Sequence, residues 1–196
     1  MRSMPKWLNM NRVQISLGNI AGVHIWEHRV FEDTRGKLSK VYVTDSPELG
    51  GIPFVTFEHF FTFSKLNVFR GLHLQSGVHP STKIVSLVSG NATDFLLDLR
   101  SESSSFGVLQ IEEIDETHPK SIFVPTGVAH GYISNSNHTV FSYRYDVAFC
   151  QECDSGINPN VIQNYLGIEI ESLITSNRDK DLTTDIEVAL LAKPHP

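Results

Sequence analysis

The chain has 196 residues, 40% of them hydrophobic and 19% charged, with a formal net charge of −6. That length fits one domain able to bury a core without disulfides, and that hydrophobicity excludes disorder over most of the chain. The acidic balance excludes nucleic acid and an anionic membrane as main partners, although one local cluster of arginines and lysines could still grip a phosphate.

Taken in order, the N-terminal MRSMPKWLNMNRVQ lacks the apolar stretch of a signal peptide. No run approaches the ~18–20 apolar residues of a membrane span, so a cytoplasmic protein is expected. KLSKVYV (37–43) reads as a strand and SPELGGIP (46–53) as a turn-rich insert. FVTFEHFFTFSK (54–65), NVFRGLHLQ (67–75) and TKIVSLV (82–88) follow, aromatic-rich and β-prone. Ser89-Gly90-Asn91 predicts a tight hairpin into ATDFLLDL (92–99). There Phe95, Leu97 and Leu99 share one face, and Asp94, Leu96 and Asp98 the other. FGVLQIEEI (106–114), KSIFV (120–124), AHGYIS (129–134) and TVFSYRYDVAF (139–149) complete the series. Cys150 and Cys153, spaced C-Q-E-C, have neither a second ligand pair nor a βαβ setting, and read as two ordinary thiols. Helical periodicity is confined to the tail from Asp181, DLTTDIEVALL. The expectation is an all-β jelly roll in one domain over 1–196, with a core at about 24–172 and a helical tail at about 173–196.

Two stretches could carry chemistry. VPTGVAHGY (124–132) sets Pro125, Gly127 and His130 as the second histidine motif of a cupin does: the turn residues enter a strand and the histidine points into the barrel mouth. A metal-binding cupin also needs an earlier H-x-H pair and a glutamate. The earlier segment reads HLQ, and His79 lies in the turn-like SGVHPS, so no metal site is expected. In FRGLHLQ (69–75), Arg70 must meet either a buried carboxylate, Asp94 or Asp98, or an anionic ligand. Regular alternation would point Arg70 and His73 to opposite faces. Placing both in one site requires a bulge at Gly71 or an arginine at the barrel rim.

RGLHLQ (70–75), TKIVSLVSGNATDFLLDLRSESSSFG (82–107) and VPTGVAHGY resemble three signature blocks of the dTDP-4-dehydrorhamnose 3,5-epimerase family. FEDTRG (31–36), YRYDVAF (143–149) and SNRDKDL (176–182) fall where that family has further motifs. The resemblance implies a metal-free, cofactor-free cupin jelly roll, a homodimer, and a nucleotide-linked 4-keto-6-deoxyhexose as substrate. It implies His73 as base, oriented by Asp179, with Lys83 stabilising the enolate and Tyr143 returning a proton from the far face. His130 would line the site, Arg70 and Arg35 would hold pyrophosphate or sugar, and Phe31 would pack on the base, sometimes in a neighbouring subunit.

Four positions depart from that pattern. Lys40 stands where glutamate is usual, Glu58 replaces glutamine, Phe60 replaces asparagine and Phe149 replaces a second tyrosine. The chemistry should survive while recognition changes, which leaves GDP or CDP open beside dTDP, and epimerisation of one carbon open beside two. Three other readings stay in view: a metal-dependent cupin such as a dioxygenase, a ketoisomerase, and a catalytically silent sugar-nucleotide binder.

Overall fold

A computed structural model describes residues 16–41, 53–167 and 169–184. Within them the strands in chain order are β1 (Ser16–Leu17), β2 (His24–Glu27), β3 (Arg29–Asp33), β4 (Gly36–Lys40), β5 (Glu58–Ser64), β6 (Phe69–Gln75), β7 (Lys83–Ser89), β8 (Asn91–Asp98), β9 (Val108–Asp115), β10 (Lys120–Val124), β11 (Val128–Ser134), β12 (Thr139–Tyr145) and β13 (Asp154–Gly156). Six form one sheet, ordered β1-β9-β8-β11-β6-β13, and five form a second, β2-β10-β7-β12-β5. The β3–β4 hairpin stands apart. Short helical turns follow at Pro159–Ile162 and Ile170–Ser172, with α1 (Gln163–Leu166) and α2 (Asn177–Lys180).

Alternation within the strands builds the layers. Phe141 and Tyr143 of β12, with Val85 and Leu87 of β7, face Ala92, Leu96, Val128 and Tyr132 of the other sheet. The far face of the six-stranded sheet presents Phe95, Leu97, Leu74 and Ile133 to Ile157, Ile162, Ile170 and Leu173 of the segment that follows β13. β8 and β11 are central strands with apolar residues toward both layers, Leu96 and Tyr132 on one side and Phe95, Leu97 and Ile133 on the other, and Asp94, Asp98 and His130 as their buried polar members. This is the expected jelly roll of two packed sheets.

Four expectations change. β7 and β8 do not pair with each other: they belong to different sheets, and Gly90 carries the chain across. A Cβ there would lie 2.5 Å from Ser136 Oγ and 2.8 Å from His138 O, so the glycine serves a sheet-switching corner and not a hairpin. Helical structure begins at Pro159, earlier than position 173, because this segment must cover the apolar outer face of the six-stranded sheet. Residues 181–184 are not helical, and the rest of the tail pattern lies outside the described residues, as do residues 42–52. Cys150 and Cys153, expected as two ordinary thiols, are instead joined as a disulfide, because one turn brings their Cα atoms to 5.1 Å.

Candidate active site

The geometry of β6 decides the site. Phe69, Leu72 and Leu74 all belong to the outer core cluster, although 69 and 72 would face opposite ways in a regular strand. The pairing with β11 shifts register between His130↔His73 and Tyr132↔Arg70, so a bulge at Gly71 absorbs the mismatch. Gly71 has φ +127, and a Cβ on it would sit 2.4 Å from Gly131 Cα. Only glycine fits at this crossing. The bulge turns Arg70 and His73 to the same side, where both line a cavity of about 460 Å³.

His73 Nε2 lies 2.6 Å from Asp179 Oδ1. Asp179 sits in α2, whose first turn is capped by Ser176 Oγ accepting from the Asp179 N–H, and the Gly71 N–H approaches its other oxygen at 3.5 Å. Burial alone would raise the Asp179 carboxyl, but the His73 hydrogen bond and charge outweigh it and hold it below the ordinary value. Lys83, buried at the start of β7, donates from Nζ to the His73 carbonyl at 3.0 Å. Burial brings its ammonium down to about 8, against the opposing pull of Asp94 and Asp154.

Tyr143 lies between Phe60, stacked at 5.2 Å, and His130, whose ring centroid is 5.9 Å away. Burial pushes its phenol well above the ordinary value, so it is held in the protonated form. His130 Nε2 is 2.7 Å from Asp94 Oδ2, and burial drives both toward neutrality, the carboxyl upward and the imidazole downward. Asp98 is taken by Arg100, Ser103 and Ser105. Arg70 therefore meets neither carboxylate. It donates to Ser64 Oγ and to the Phe63 carbonyl, and stays exposed on the cavity wall.

A second cavity of about 390 Å³ adjoins the first, and Phe60, His73, Tyr145 and Arg178 line both. Glu58 and Phe149 belong to it, tied together by the Phe149 N–H donating to Glu58 Oε2. The structure thus gathers His73, Asp179, Lys83, Tyr143, His130 and Arg70 around one space, with Glu58, Phe60 and Phe149 beside it. Phe31, Arg35 and Lys40 are not among the lining residues of either cavity. They lie on the exposed β3–β4 hairpin, where Arg35 bonds Asp33 and Lys40 sits over the Phe31 ring.

Sequence reasoning missed Arg178, which reaches both His73 and Asp154, and the pairing of Asp94 with His130. The first stands one place before Asp179 within SNRDKDL and could have been read there. Among the described residues no group of three or more His, Cys, Asp or Glu is placed to hold a metal ion.

The family model for dTDP-4-dehydrorhamnose 3,5-epimerase matches residues 18–185. The enzyme of that name from Salmonella typhimurium is 34% identical over 128 residues, 64% of this chain and 69% of the relative. The crystal structure of the Elizabethkingia anophelis enzyme superposes with a TM-score of 0.76 at 29% identity, covering 91% of this chain and all of that one. That of the Bacillus anthracis enzyme, with TDP and PPi bound, gives 0.77 at 26% identity, covering 86% and 97%. With the site blocks inside the matched span, the chain belongs to the dTDP-4-dehydrorhamnose 3,5-epimerase family.

Proposed function

We propose that this isomerase inverts carbon next to the ketone of a nucleotide-diphosphate-linked 4-keto-6-deoxyhexose, in deoxysugar and cell-surface polysaccharide synthesis. The observation that carries the reading is one cavity lined by an oriented imidazole, a buried ammonium and a protonated phenol. With Nε2 committed to Asp179, Nδ1 of His73 is the atom that takes the α-proton. The electron pair moves onto the ketone oxygen, where the Lys83 ammonium stabilises the enolate. Tyr143 donates a proton to the opposite face and is reprotonated from solvent, while the imidazolium returns its own proton to water. His130, held by Asp94, contacts a sugar oxygen, and Arg70 takes phosphate by its planar fork. Glu58, Phe60 and Phe149 shape the space for the rest of the substrate, and Phe31, Arg35 and Lys40 add to it from the hairpin of a second copy in a homodimer. The whole is one domain, working in the cytoplasm; no helix among the described residues is long and apolar enough to cross a membrane.

The experiment is solvent-deuterium incorporation beside the ketone. His73→Asn should slow it by roughly 10²–10⁴-fold, the usual contribution of a positioned base. Absence of deuterium uptake with every nucleotide 4-keto sugar tried would sink the proposal. A thermal-shift series with dTDP, GDP, CDP and UDP identifies the nucleotide, since a ligand at a hundredfold excess over Kd raises apparent stability by about 2.7 kcal/mol.

A further inference from the structure

Nε2 of His73 is approached by two groups that need it in opposite states. Asp179 Oδ1, at 2.6 Å, is an acceptor and requires a hydrogen on Nε2. Arg178 Nη1, at 2.7 Å, is a donor and requires the lone pair there. A single neutral imidazole cannot satisfy both. The Nε2–H tautomer serves Asp179 and leaves the Nδ1 lone pair free to act as base. The Nδ1–H tautomer serves Arg178 and leaves no basic atom turned from the carboxylate.

Arg178 is placed to move between these situations. Its other fork arm donates to Asp154 Oδ2, and its side chain is 44% exposed. It lines both cavities. On one side stand two carboxylates, Glu58 and Asp154. On the other, Arg70 and Lys83 join it around a space whose one carboxylate among the described lining residues is Asp179, itself engaged by His73. An anion with two phosphates entering that cationic space competes with Asp154 and His73 for the guanidinium, and a planar fork binds phosphate in bidentate fashion.

We propose that Arg178 is a positioning residue that couples the substrate's diphosphate to the tautomer of His73: on Nε2 it keeps the base unavailable, and drawn to the diphosphate it yields Nε2 to Asp179 and bares Nδ1. The inference rests on the epimerase reading above. One proton passes from Nδ1 to Nε2 through solvent, with no net uptake. Binding energy from the part of the substrate that does not react would then appear in turnover and not only in affinity.

The test is the ring ¹⁵N spectrum of His73, identified by its loss in His73→Asn, recorded alone, with dTDP and with inorganic pyrophosphate. The expected result is Nδ1–H alone and Nε2–H once either diphosphate saturates the protein. Arg178→Gln should show Nε2–H in all three samples. Asp154→Asn, which loosens the guanidinium and guards against a poorly folding Arg178 variant, should change tautomer at lower pyrophosphate. In turnover, wild type should lose about tenfold or more in kcat on a 4-keto sugar 1-phosphate relative to the nucleotide sugar, a gap that Arg178→Gln should largely close, while Arg178→Lys restores part of it. Nε2–H in the unliganded wild type, or binding with no tautomer change, overturns the inference and leaves the epimerase reading standing. If none of dTDP, pyrophosphate, GDP, CDP or UDP binds, both fall together.

Discussion

Lys83 is the residue whose burial asks most for an explanation. At 4% exposure its ammonium ionises near 8 in place of 10.5, because burial disfavours the charged form. A depression of that size corresponds to about 3 kcal/mol lost from stability at neutral pH, where both folded and unfolded chains carry the proton. Between about pH 8 and 10.5 the unfolded chain binds more protons than the folded one, so this loss is recovered as pH rises through that window. Lys83→Met removes the penalty but leaves the His73 carbonyl without its donor, which costs about 1–3 kcal/mol in return. The expected outcome is a Tm at pH 7 equal to or above wild type, with deuterium exchange slowed by roughly 10²–10³-fold, as when one preorganised charge stabiliser is removed. A lower Tm with exchange intact would make Lys83 a structural residue. Wild-type exchange should also decline above about pH 8, as the ammonium loses its proton. The lysine itself was legible from its place in TKIV. Its desolvation was not, because that depends on strands distant in the chain packing around it, Tyr145 of β12 among them, while Asp94 of β8 opposes the shift by its charge.

At the scale of the element, β6 places the proposed base, His73, and Gly71 lets it do so. Gly71→Ala forces a Cβ to 2.4 Å from backbone at a positive φ, and neither the backbone nor the angle can give cheaply. Backbone strain of 1–3 kcal/mol with comparable overpacking predicts a loss of about 2–5 kcal/mol, read as a lowered urea midpoint, together with a displaced His73 and slowed exchange. Full activity at wild-type stability would remove the bulge from the account. The disulfide after β12 predicts a smaller effect: it closes a loop of only a few residues, so Cys150→Ser with Cys153→Ser should cost roughly 2 kcal/mol at most. The i,i+3 spacing of Arg70 and His73 exposed the conflict that the bulge resolves, so this feature could be read from the chain. The Gly90 corner could not: a Gly-Asn pair between two β-prone runs is as compatible with a sheet switch as with a hairpin, and only the packing of Ser136 and His138 decides. The His130–Asp94 and Arg178–Asp154 contacts escaped for a related reason, since each depends on cross-strand register or on a helical turn docking over a sheet.

The whole molecule leaves one sheet face unfinished. β5 is an edge strand of the five-stranded sheet and leaves Phe61 and Phe63 exposed, and Val88 of β7, in the same sheet, is exposed as well. Unpaired edges and apolar patches of this kind favour association. The hairpin carrying Val30, Phe31 and Leu38 is likewise exposed, and its Phe31, Arg35 and Lys40 line neither cavity of their own chain. The homodimer proposed above would cover the sheet face and lend each hairpin to the other copy. Light scattering should give twice the chain mass, and Phe63→Asp should give a monomer. Mixing decides whether the hairpin acts across the dimer. His73→Asn supplies an intact hairpin and Arg35→Ala an intact cavity, so each mixed dimer holds one complete site. If both single variants are inactive, random exchange should restore about a quarter of wild-type activity, since half the dimers are mixed and each has one of two sites. No recovery, with exchange of subunits verified by mass, would place the hairpin residues in their own chain's site or outside any.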